Sequence, residues 1–167
     1  MADVILICGK ICSGKTTYAQ KLMEETPAVI LSSDQAVLEL FGMYLGDEHE
    51  KITDKVEQYL LKLSLDILNA GTNVILDWGF WTAADRTTIN DYYNSHGIVP
   101  QWHYISCTHV QWEHNIRCRN SAVSSGKTTA FFIDRNIADK CLEAFEEPDQ
   151  TEIDVWHSWG DNVYPTV

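Results

Sequence analysis

Eight residues near the start of the chain, Gly9-Lys10-Ile11-Cys12-Ser13-Gly14-Lys15-Thr16, satisfy the pattern G-x-x-x-x-G-K-S/T at every defined position. Glycines let successive backbone N–H groups turn inward, and a helix starting at the loop adds its partial positive charge, so such a segment wraps phosphate oxygens. Gly9, Cys12, Ser13, Gly14, Lys15, Thr16 and Thr17 are therefore expected to hold the polyphosphate of a nucleotide. Lys15 would neutralise the outer phosphates, and the Thr16 hydroxyl would ligate a Mg2+ bridging them. ATP and Mg2+ are the expected cofactors. A dinucleotide fold is excluded, because Ile11 stands where G-x-G-x-x-G requires its second glycine.

Two acids stand where this chemistry needs them. Asp77 closes the apolar run Val74-Ile75-Leu76, so a strand would deliver it to the loop, where it could hold Mg2+ directly or through water. Asp34 follows a second apolar run with Ser32 and Ser33 beside it. A carboxylate there opens onto the same crevice and could take an acceptor's proton, although all three residues also suit a helix N-cap. Trp78, Phe80 and Trp81 could cover an acceptor and exclude water, or pack in the core. Arg117, Arg119 and Arg135 bracket a polar stretch at 121–129; in a chain with only 12 bases they suggest anion contacts, with surface ion pairing as the alternative. Arg86 reads equally well as an ordinary helix-surface arginine. Cys12, inside a loop of positive potential, is a candidate low-pKa thiol or a small loop filler.

The pentapeptide SGKTT occurs at 13–17 and again at 125–129. The second copy has Ser121 in place of the leading glycine and no apolar strand before it, so it reads as coincidence, with Lys127 available as a lid lysine.

The elements that must position these groups follow from periodicity. Short apolar runs at Val4–Cys8, Ala28–Leu31, 73–76 and 101–106 read as strands buried on both faces, with a last strand at 153–156. Val56, Tyr59, Leu60, Leu63, Ile67 and Leu68 recur at helical spacing and stop at 69–71; Ile137, Cys141 and Phe145 mark another helix ending before Pro148. This βαβ rhythm predicts an α/β, three-layer αβα sandwich with a mainly parallel five-stranded sheet, forming one domain over 1–167 with a small lid at about 117–135.

Subtracting 24 acids from 12 bases gives a net charge of −12, which repels phosphate backbones and anionic membranes and makes extended nucleic acid a poor partner. The five cysteines show no CxxC pair, which argues against a disulfide framework or a zinc site and for a reducing cytoplasm. His103, His109 and His114 lack metal-ligand spacing. No run approaches the length of a membrane span, and no N/T-K-x-D guanine box is present.

The ordered set of the loop at 9–16, Ser32-Ser33-Asp34, Leu40-Phe41-Gly42, Val74-Ile75-Leu76-Asp77 with Arg86, Arg119-Asn120 and Phe145-Glu146-Glu147-Pro148 resembles small P-loop kinases of the chloramphenicol phosphotransferase, zeta-toxin and polynucleotide 5′-kinase type. The resemblance implies that Asp34 approaches the acceptor hydroxyl, that Arg119 closes over the transferred phosphoryl group, and that the γ-phosphate of ATP passes to a hydroxyl of a small molecule. The chain departs from the family at Val37 and Asn115, where arginines are common. The alternatives are a polynucleotide 5′-end kinase and a nucleotide-dependent regulatory module with a protein partner.

Overall fold

A computed structural model describes residues 2–43 and 45–159. In chain order the elements are β1 (Val4–Cys8), α1 (Lys15–Glu25), β2 (Ala28–Leu31), α2 (Ser33–Phe41), α3 (His49–Asn69), β3 (Asn73–Asp77), α4 (Ala83–Ser95), β4 (Gln101–Ser106), α5 (His109–Ser124), α6 (Arg135–Ala144) and β5 (Val155–Ser158). Among the described residues the sheet has five strands in the order β2-β3-β1-β4-β5, and every pairing is parallel.

Alternation along the central strands splits the core between the two faces. Val4, Leu6 and Cys8 of β1, with Val74 and Leu76 of β3, meet Val56 and Leu60 of α3 and Ile89 and Tyr93 of α4. Ile7 and Ile75 point the other way, onto Tyr18 and Ala19 of α1. Helices thus cover both sides of an all-parallel sheet, the three-layer αβα arrangement expected of a P-loop NTPase. Because β1 lies at the centre, the loop leaving it sits where the order reverses, between β3 and β4.

Several boundaries differ from the sequence reading: β3 takes in Asp77, and β5 runs on to Ser158. Residues 121–124 are the last turn of α5 rather than part of an irregular excursion, which begins at Ser125. Phe145 is extended, so α6 ends at Ala144, three residues short of the boundary at Glu147 that Pro148 suggests. The last strand starts at Val155, because the Asp154 carboxylate accepts from Trp102 N at 2.7 Å and occupies the place a strand carbonyl would take.

Candidate active site

The loop between β1 and α1 is built from backbone conformations its residues permit unequally. Gly9 has φ 152°, where a side chain would run into the Ile105 carbonyl of β4; Cys12 (φ 57°) and Gly14 (φ 93°) are also left-handed. Gly14 precedes α1 without a capping side chain, so the helix presents its amino end to the loop. The Lys15 ammonium lies over the loop, donating to the carbonyls of Gly9 and Lys10 at 2.9 Å each.

From the other side α5 grips the loop. Thr108 caps the helix, and Trp112, Asn115 and Arg119, at i, i+3 and i+7, share one face. Trp112 Nε1 donates to the Ile11 carbonyl and Asn115 Nδ2 to the Cys12 carbonyl, each at 2.8 Å. Arg119 Nη1 lies 3.9 Å from the Cys12 sulfur, and its Nε donates to the Phe131 carbonyl at 3.0 Å. Asn120 exchanges hydrogen bonds with the backbone of Ile133, fixing the return of the chain after α5.

Thr16 Oγ1 donates to Asp77 Oδ2 at 2.7 Å, joining the first turn of α1 to the end of β3. Burial raises the Asp77 carboxyl's pKa, opposed by the Thr16 bond and the Lys15 charge. Burial likewise lowers that of Lys15, opposed first by Asp77. Among the described residues no group of three or more His, Cys, Asp or Glu could hold a metal. The chain offers one hydroxyl and one carboxylate, which suits a hard cation whose other ligands are phosphate oxygens and water.

These groups open onto a cavity of about 1050 Å³. Lys15, Thr16, Asp77 and Arg119 line it; so do Asp34, Glu39, Glu57 and Asp85, carboxylates contributed by α2, α3 and α4. Ser32 caps α2, accepting from Gln35 N at 3.4 Å, which leaves Asp34 exposed in the first turn. Asp85 closes a capping box with Thr82 at the head of α4. Trp78 is buried and donates to the Leu31 carbonyl at 3.0 Å, Phe80 stacks on it, and the half-buried Trp81 completes the aromatic wall.

The structure brings Lys15, Thr16, Thr17, Asp34, Asp77, Cys12, Gly14 and Arg119 to one cavity, while Gly9 and Ser13 are buried behind the loop. Arg117 is not among them: it is exposed, 3.9 Å from Glu113, and lines a separate groove along α5. Arg135 is likewise exposed and pairs with Asp139. Arg86 is buried, 2.8 Å from Glu152 and donating to the carbonyls of Phe80 and Glu146, so it ties α4 to the chain before β5. The thiol of Cys12 is pushed up, not down, because burial outweighs Arg119 and Lys15. Lys127, from the second SGKTT, does line the cavity.

Sequence reasoning missed the loop braces Trp112 and Asn115, and the row His49, Thr53 and Glu57, which α3 presents to the cavity at every fourth residue. Their spacing was visible; their destination was not. Burial raises the Glu57 carboxyl to about 7, opposed by a hydrogen bond from Ser33 and reinforced by Asp54, Asp34 and Asp85.

A family model described as AAA domain matches residues 4–148. A candidate kinase from Chloroflexus aurantiacus is similar in structure, with a TM-score of 0.70 at 15% identity over 94% of this chain and 86% of that one. Kti12 of Chaetomium thermophilum in complex with ADP-AlF3 gives a TM-score of 0.68 at 14% identity, over 95% of this chain and 89% of that one. The APS kinase CysC of Mycobacterium tuberculosis in complex with AMPPNP and APS gives 0.63 at 14% identity, over 98% and 91%. No curated protein sequence matches the chain.

Proposed function

The chain belongs to the AAA domain family, and from that premise we propose that it is an ATP- and Mg2+-dependent kinase acting on a hydroxyl of a small molecule. The observation that carries this reading is that a phosphate loop and a carboxylate at the head of α2 open onto one cavity. An ATPase that only switches needs the first; a phosphotransferase needs a second polar compartment beside it.

In this reading the loop amides and Lys15 hold the β- and γ-phosphates, which requires the ammonium to exchange the Gly9 and Lys10 carbonyls for phosphate oxygens. Thr16 and Asp77 would hold Mg2+, which would supply charge neutralisation to the polyphosphate. Asp34 orients or deprotonates the acceptor. Arg119, anchored through Nε, turns its remaining guanidinium nitrogens toward the transferred group. The segment at about 117–135 works as the lid, with Lys127 on its inner side. The bound nucleotide analogues of the Kti12 and CysC structures support a nucleotide at this loop.

Four carboxylates on the cavity wall, Asp34, Glu39, Glu57 and Asp85, disfavour a polynucleotide 5′-end, which needs a basic track. Among the described residues no helix is long and apolar enough to cross a membrane, and no disulfide joins the five cysteines, which supports a cytoplasmic setting. A library of hydroxyl-bearing metabolites incubated with labelled ATP tests the proposal. One compound should raise ADP formation sharply and emerge phosphorylated. Failure to bind ATP, or turnover that responds only to a protein partner, overturns it.

A further inference from the structure

Glu57 sits on a face where a carboxylate is hard to explain structurally. Val56, Leu60 and Leu68 of the same helix enter the core, and Glu57 turns with His49 and Thr53 into the cavity instead of into solvent. The buried Ser33, in the first turn of α2 beside Asp34, hydrogen-bonds its carboxyl and fixes its direction. Among the described residues no ion pair engages Glu57; the charged groups that act on it are Asp34 from α2, Asp85 from α4 and Asp54 one turn earlier on α3, and His49 heads the same row. A half-buried carboxylate among carboxylates costs stability that a glutamine would not, which is the pattern of a residue kept for chemistry.

We propose that Glu57 is a catalytic residue of the phosphoryl transfer, its carboxylate accepting the hydrogen bond and then the proton of the acceptor hydroxyl while Asp34 orients that hydroxyl. This rests on the kinase reading above. The acceptor O–H bond breaks as its oxygen bonds to the γ-phosphorus; the bond from phosphorus to the β,γ-bridging oxygen breaks and ADP leaves with that electron pair; the proton resides on Glu57 until it exchanges with water. A carboxyl raised to about 7 is matched to hold such a proton at neutral pH.

Water serves as the acceptor probe, so phosphate release from Mg-ATP is followed across pH, with ATP affinity measured by calorimetry on the same samples. Wild type should show a rate rising with pH through a limb near the Glu57 value of about 7. Glu57→Gln should bind ATP within about twofold of wild type, release phosphate about tenfold or more slowly, and lose the limb. Glu57→Asp should fall between, and Asp34→Asn should lower the rate but keep the limb. Unchanged rate and limb in Glu57→Gln, or loss of the limb in Asp34→Asn instead, overturns the role of Glu57 alone. A wild type that binds ATP without releasing phosphate to water overturns this inference alone, and one that does not bind ATP brings down the kinase reading with it.

Discussion

The same five residues, SGKTT, occur twice and meet opposite ends of a helix. At 13–17 they open α1, so the lysine lies over the loop, on the carbonyls of Gly9 and Lys10, beside the positive end of the helix. At 125–129 they follow α5: Gly126 takes φ 68°, and the N–H groups of Gly126 and Lys127 turn back to the carbonyls of Val123 and Ala122. There the amides are spent on closing a helix whose carboxyl end is negative. A phosphate site is therefore a property of where a peptide sits between strand and helix, and its letters only permit it.

Each difference between the copies can be tested by paired substitutions. Lys15→Ala should reduce phosphoryl transfer about 1000-fold, whereas Lys127→Ala should cost under about tenfold, read in steady-state kinetics with any active acceptor. Equal losses would break the contrast. Gly9→Ala should destabilise by about 2–4 kcal/mol, because a methyl group there meets the Ile105 backbone; Gly126→Ala, with open space around it, should cost about 1–2 kcal/mol for its left-handed φ, both read in thermal or urea unfolding. Arg119 touches Cys12 in the first region and Phe131 just after the second. Arg119→Ala should lower turnover about 10- to 100-fold and expose the 125–134 connection to limited proteolysis. The smallest effect concerns pH. Burial lowers the pKa of Lys15, so its ammonium is lost at lower pH than an ordinary lysine's. ATP affinity should weaken correspondingly early on the alkaline side, and Lys127→Ala should leave that limb in place.

Much of the frame was legible because central strands of a parallel sheet are written as apolar runs, as Val4–Cys8 is; the edge strand Ala28–Leu31, with Val29 exposed, and Gln101–Ser106, with Gln101 exposed, also stand where their runs lie. The loop end of the cavity was legible for a related reason: its groups come from one contiguous segment and from an acid that ends a strand. The opposite wall was not. Glu57 looks like any glutamate on an amphipathic helix until the fold decides which way it turns. Arg86 looked available to an anion because its partner, Glu152, lies 66 residues away. Cys12 looked activated because the neighbouring cations are visible in sequence, whereas the burial that outweighs them is not.

The braces from Trp112 and Asn115 to the carbonyls of Ile11 and Cys12 span more than a hundred positions of the chain. A nascent polypeptide exposes the loop at 9–16 about a hundred residues before the struts that set its shape are synthesised. Nucleotide capture would then report on the arrival of α5, and a fragment released before α5 should emerge unable to hold ATP.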